Sequence, residues 1–133
     1  MPASMNIDQA KGRNASGAIT KKRFVKIDAA AADGESVKQC DAQGESAWGV
    51  SLFNVSLAEI TRGKGASVIT DGRAIVEAGA TVANGDYVMA AADGRAITAT
   101  TGNFILGVCD ENGGGAAGDE LGISLTLAGS KVP

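Results

Sequence analysis

The chain has 133 residues, a formal net charge of −3 and no histidine. Histidine is the commonest general base and the commonest metal ligand, and Cys40 and Cys109 lie too far apart in sequence for a metal-binding motif. No apolar run approaches the roughly 18 residues of a membrane helix, and the N-terminus lacks the apolar stretch of a signal peptide. We therefore expect one domain made in the cytoplasm, with no membrane segment, metal or cofactor. Both cysteines should be reduced and partly buried, unless the fold brings them face to face.

The N-terminal region is basic and the remainder is acidic. Residues 1–26 hold six bases and one acid, whereas residues 27–133 hold six bases and 14 acids. Residues 1–22 have no helical or strand period, which predicts an extended arm ahead of a single β-rich domain over residues 23–133. The arm is expected either to be ordered against something else or to be a leader without a role. Its candidate contacts with a partner or a neighbouring copy are Lys11, Arg13, Lys21, Lys22 and Arg23.

The target of such an arm is open between two classes of surface. Six bases are weak support for nucleic-acid binding, because no aromatic side chains alternate with them and no folded recognition module accompanies them. An acidic protein surface is an equally good target for the arm. Because the chain lacks such a recognition module, we predict no direct binding of nucleic acid.

The first half of the domain contains three strand patterns and one helix signal. Residues 24–27, 36–40 and 46–53 are short apolar or alternating runs bounded by turn residues. The only tryptophan, Trp48, lies in the third run and is expected to pack in or beside the core. Ser56-Leu57-Ala58-Glu59 fits a capping box, and Gly63 is placed to end a helix of about two turns.

The second half is organised around a repeat. Asp71-Gly72-Arg73-Ala74-Ile75 returns as Asp93-Gly94-Arg95-Ala96-Ile97, and each copy follows a short run typical of a strand. Asp-Gly is a strong hairpin signal, because glycine adopts positive φ at no cost. Both copies are therefore predicted to form β-hairpins, with a further turn at Asn84-Gly85 between them. The residues with a structural role in these turns are Asp71, Gly72, Asn84, Gly85, Asp93 and Gly94.

The last third contains an apolar run, a glycine-rich loop and an alternating run. Residues 104–109 predict a strand that is buried on both sides or lies at a subunit contact, and residues 119–127 predict a strand with one apolar face. Acids cluster in the loop between them, but they lack the alternating spacing of a calcium loop and are interpreted as a solvated loop. No pair of acids stands out for acid–base chemistry, so no enzyme is predicted. The short strands indicate an all-β, mainly antiparallel fold, a small barrel or sandwich.

Seven short motifs follow one another along most of the chain: Ala18-Ile19, Arg23-Phe24-Val25, Trp48-Gly49-Val50, residues 78–88, Asp93-Gly94-Arg95-Ala96, Ile105-Leu106-Gly107-Val108 and residues 118–125. This succession, spanning about residues 18–127, resembles the capsid cement, or decoration, proteins of tailed bacteriophages. The resemblance implies a small β-tulip domain that is not an enzyme and needs no cofactor. It also implies homotrimers at three-fold positions on the outer surface of the virion head, bound to the major capsid protein and stabilising the expanded shell against internal DNA pressure.

Two other interpretations stay open on the sequence. A head-fibre or receptor-binding module would share these features but project outward from the head. Residues 79–86 are also similar to the strand-turn-strand of biotinyl or lipoyl carrier domains, in which a lysine at a hairpin tip is modified. The carrier interpretation is weaker, because no lysine lies between residues 65 and 130.

Overall fold

The structure, a computed structural model, describes residues 10–32, 34, 36–127 and 129–133. Within these residues the elements are, in order, β1 (Ala10–Arg13), β2 (Phe24–Ile27), β3 (Val37–Gln39), β4 (Gly49–Ser51), α1 (Leu57–Thr61), β5 (Ala66–Ile69), β6 (Arg73–Glu77), β7 (Tyr87–Ala90), β8 (Ala96–Thr98), β9 (Gly107–Cys109) and β10 (Glu120–Leu125).

The described strands form two sheets of five. Sheet 1 has the order β1-β5-β4-β2-β3 and sheet 2 the order β6-β10-β9-β7-β8, and every paired neighbour is antiparallel. The predicted all-β, antiparallel class with one short helix is confirmed. The described strands do not close either sheet into a barrel, so each sheet keeps two edge strands.

Sheet 1 is covered on both faces, which gives the molecule three layers. Neighbouring side chains of a strand point to opposite faces, and both Phe24 and Val25 of β2 are fully buried. Phe24 belongs to the core shared with sheet 2, together with Val76 and Ile123. Val25 belongs to a second core on the other face of sheet 1, whose buried members are Ala15, Ile19, Val25, Val37, Val55, Ala66 and Val68.

Residues 10–22, the described part of the predicted arm, belong to sheet 1 and to the layer that covers it. Residues 10–13 pair with β5 as an edge strand of sheet 1. Ile19 is buried, and its backbone exchanges hydrogen bonds of 2.9 and 2.8 Å with Val55. Residues 10–13 thus gain their order by pairing with β5 at the edge of sheet 1, and residues 14–22 by covering its outer face. Residues 1–9 of the predicted arm lie outside the described residues.

The repeat forms one hairpin, not the two predicted. The Asp93-Gly94 copy joins β7 to β8, which pair with each other. The Asp71-Gly72 copy instead leads from β5 in sheet 1 to β6 in sheet 2, and these two strands pair with different neighbours. Gly72 and Gly94 have nearly the same φ, 84° and 83°. The pentapeptide therefore gives its glycine the same positive φ in both places, while the partners available to each strand decide whether a hairpin results.

Helix α1 has both predicted ends. The Ser56 hydroxyl accepts a hydrogen bond from the Glu59 amide at 3.2 Å, and the Glu59 carboxylate accepts one from the Ser56 amide at 3.0 Å. Gly63 follows the last turn with φ 90°. Val55 and Ile60 both contact the second core and occupy the two positions of a hydrophobic staple, so Ile60 faces inward.

Acid is expected to weaken this cap. The Lys64 ammonium, 2.8 Å from Glu59, and the Ser56 amide lower the pKa of Glu59 from 4.5 to about 2. Because the folded pKa lies below the unfolded one, the carboxylate stabilises the folded chain above pH 4.5, and this contribution is lost as the pH falls toward 2. The stability difference between wild type and Glu59→Gln, measured by urea unfolding, should shrink between about pH 7 and about pH 2.5. An unchanged difference would contradict a role for the charge, since glutamine can still accept the Ser56 bond.

Cys40 and Cys109 are both buried and unbonded, in the same core. Burial, assisted by the charge of Glu45, raises the pKa of the Cys40 thiol to about 12. At about pH 8 the Cys40 thiolate should be scarcer than that of an exposed cysteine by a factor on the order of a thousand. We expect iodoacetamide to leave Cys40 unmodified in the folded protein and to alkylate it in denaturant, as measured by peptide mass spectrometry. Rapid alkylation of the folded chain would contradict its burial.

Candidate interaction surface

Among the described residues, no three histidine, cysteine or acidic residues come together as metal ligands, and no helix is long and apolar enough to cross a membrane. A cleft of about 330 Å³ is lined by residues without titratable side chains. In the acidic loop, hydrogen bonds from Ser124 and Arg73, both 2.8 Å, outweigh burial and hold the pKa of Asp110 below its ordinary value.

Two of the five predicted contact bases fasten the sheets to each other. Lys22 forms an ion pair with Glu120, and the Lys22 amide donates to Ser51 at 2.8 Å while its carbonyl accepts from Glu77 at 3.0 Å. Arg23 lies 3.6 Å from the Glu77 carboxylate and donates to the Asp93 carbonyl at 2.9 Å. The fold thus places acids of sheet 2 beside these two bases, and their contact with a partner stays a prediction.

The other three bases have different surroundings. The Arg13 guanidinium lies 4.7 Å from the centre of the Trp48 ring, a cation–π contact on the outer face of sheet 1. Lys11 lies in β1, at the register position opposite Val68. Lys21 is exposed, and its amide donates to the Asn54 side chain at 2.8 Å. Lys21 is thus a predicted contact base that stays exposed.

The predicted turn residues lie in loops and have local partners. Gly72, Gly85 and Gly94 have positive φ of 84°, 91° and 83°. Asp71 accepts from the Gly72 amide at 2.9 Å, and Asp93 from the Arg95 amide at 3.2 Å. Asn84 lies in the turn that the Asp86 amide closes on the Ala83 carbonyl at 3.1 Å.

An exposed apolar pair beside α1 is the feature that the sequence analysis missed. Phe53 and Leu57 keep 59% and 66% of their surface exposed. The staple that turns Ile60 inward leaves Leu57, the first residue of the helix, on the outside. The Lys21 backbone amide donates to the side chain of Asn54, the residue after Phe53, and Arg62 is the C-cap of the helix. We call the exposed side chains of Lys21, Phe53, Leu57 and Arg62 the α1 surface.

The α1 surface belongs to a basic layer. Residues 14–22 and 52–65, which cover the outer face of sheet 1, hold four bases and one acid, a formal charge of +3. The remainder of the chain holds eight bases and 14 acids, a charge of −6. Within the described part of the chain, neither Lys21 nor Arg62 has an ion-pair partner. Apolar side chains beside unpaired bases are suited to an acidic protein partner.

The outer face of sheet 2 carries the opposite charges, but these are largely paired. Ile75 and Tyr87 are exposed on this face. They share it with their cross-strand partners Gly122 and Val108. Four acids on or beside this face have bases of the same chain nearby: Glu77 with Arg23 and Arg95, Glu120 with Lys22, and Asp110 and Glu111 with Arg73. Asp71, Asp86 and Asp119, which come just before β6, β7 and β10, form no ion pair among the described residues.

Comparison with known proteins finds likeness in fold. No protein-family model and no curated protein sequence matches the chain. Among solved structures, the chain is similar to the N base of the head fibre protein gp8.5 of bacteriophage phi29, with a TM-score of 0.68 and 16% sequence identity. The match covers 93% of this chain and 97% of that chain. At this identity the likeness shows a common fold.

Proposed function

We propose that the chain is a structural protein of a bacteriophage head, bound to the outside of the shell and without enzymatic activity. The observation that carries the proposal is the fold shared, over nearly the whole of both chains, with the base of a phage head fibre. The ordered motifs of the cement family point to the same setting from the sequence. A thin core is compatible with this role, since 24 of the 59 hydrophobic residues are alanine and a shell can supply further burial.

In its finer form, the proposal is that the chain acts as a cement protein. Copies would gather as homotrimers at three-fold positions and join neighbouring subunits of the major capsid protein. Several weak contacts made at once by a trimer hold more tightly than any one contact alone.

The test is gradient fractionation of a lysate that contains heads of the phage encoding this chain. We expect the chain to remain with the head peak after washing, in a near-stoichiometric ratio to the shell protein. Recovery of the chain in the soluble fraction alone would refute attachment to the head.

The base of a head fibre is a second candidate, favoured because the similar phi29 structure is itself such a base. The two roles differ in what removing the chain does to the shell. Heads that lack a cement protein should rupture at a lower temperature or under milder osmotic shock. Heads that lack a fibre base should keep wild-type resistance, and electron microscopy should show that projections are missing.

A further inference from the structure

We propose that the α1 surface is the face by which the chain docks on the head, and that it binds an acidic patch of the shell protein. This inference rests on the proposed function, because it names the partner and the contact residues for attachment to the head. Two properties of the surface carry it: exposed apolar side chains that the fold does not use, and bases without an ion-pair partner among the described residues.

The apolar side chains are surplus to the fold. Helix α1 has no fully buried residue, and it contacts the second core through the partly buried Ile60. Phe53 and Leu57 could therefore have been polar without loss of that contact. Phe53 and Leu57 lie four positions apart, on a loop and a helix that the Lys21–Asn54 hydrogen bond joins to residues 14–22. Two large exposed apolar side chains of this kind are suited to anchor a partner.

The charge identifies the partner as acidic and argues against the outer face of sheet 2 of a second copy as the docking partner. The covering layer carries +3, with Lys21 and Arg62 unpaired among the described residues. The outer face of sheet 2 of a second copy is a poor complement, because its acids Glu77 and Glu120 already lie beside bases of their own chain and docking there would compete with existing ion pairs. A foreign acidic surface can pair with Lys21 and Arg62, which have no ion-pair partner among the described residues.

The experiment measures binding of the purified full chain to nuclease-treated heads that lack it, by co-sedimentation over a range of chain concentrations. One variant, Phe53→Ser with Leu57→Ser, removes the apolar anchor. A second, Lys21→Glu with Arg62→Glu, reverses the charges. The matched control is Tyr87→Ser. Tyr87 is an aromatic residue whose exposed fraction, 56%, is close to that of Phe53, but it lies on sheet 2, away from the α1 surface. Thermal melts establish that each variant is folded.

We expect each α1-surface variant to bind at least about tenfold more weakly than wild type, with Tyr87→Ser unchanged. The charge-reversed variant should also lose most of the salt dependence of binding. If wild type binds and both α1-surface variants bind equally well, the inference is overturned while the proposed function stands. If the variants instead change the oligomeric state of the isolated chain and leave head binding intact, the occupant is a second copy and the inference is again overturned. If wild type itself fails to bind, the proposed function fails.

Discussion

Replacing Phe24 by alanine is expected to lower the free energy of unfolding by about 3–5 kcal/mol, the range for loss of a buried aromatic side chain. Phe24 is fully buried and lies where the two sheets pack together. Its neighbours are held by antiparallel ladders on both sides, so they can close only part of the cavity. A typical domain has about 5–15 kcal/mol of stability in total, so this one change should remove a large share of it.

The measurement is urea unfolding of the Phe24→Ala variant, with Phe53→Ala as the matched control. Phe53 is an aromatic residue of the same chain that is mostly exposed, and its removal should change stability by less than about 0.5 kcal/mol. Phe24→Leu should fall between the two, because leucine refills part of the cavity. Equal effects of the two alanine variants would show that the core between the sheets is not where the structure places it.

Replacing Ile19 by alanine is expected to cost about 2–5 kcal/mol, although Ile19 lies in the segment whose composition predicts an arm. The side chain is buried between the covering layer and sheet 1, beside Val25 and Val55. Its backbone hydrogen bonds to Val55 survive the substitution, so the loss reports packing. Ile19→Val should cost only about 0.5–1.5 kcal/mol.

The control for Ile19 lies two residues away. Lys21→Ala changes an exposed side chain in the same segment and should leave stability within about 0.5 kcal/mol of wild type. If Ile19→Ala were as mild as Lys21→Ala, the segment would be an arm, as its composition predicts. Deleting residues 1–20 would not test whether this segment binds a partner. The deletion also removes Ala15 and Ile19 from the second core, which weakens the fold itself.

Several elements could be predicted because their signals are local. The helix ends are specified by Ser56 and Glu59, whose side chains reach the backbone three residues away. The strand pattern at residues 24–27 needs only the apolar content of the run. The staple formed by Val55 and Ile60 is also local, so exposure of Leu57 was open to prediction from the sequence.

The run at residues 104–109 shows where local patterns fail. Its continuous apolar character predicts one strand, but the described strand covers only Gly107–Cys109. The amides of Phe104 and Ile105 donate instead to the carbonyls of Gly44 and Ser130, at 3.1 and 2.8 Å. Apolar content marks residues that will be buried, whereas the hydrogen-bond partners that define a strand come from distant parts of the chain.

By itself, the sequence determined the all-β class, the reversals at its glycines, the ends of α1 and the uneven distribution of charge. Each of these depends on the conformational preference of one residue or on neighbours within about four positions. Only the tertiary structure decided that identical pentapeptides form a hairpin in one place and a sheet-to-sheet connection in another, and that residues 14–22 cover sheet 1. It also decided that Lys22 and Arg23 lie beside acids roughly 50 to 100 positions away, while Lys21 and Arg62 have no ion-pair partner in the described part of the chain. The physical reason is that pairing of strands and of charges depends on which distant groups come within a few ångströms, and spacing along the chain does not contain that information.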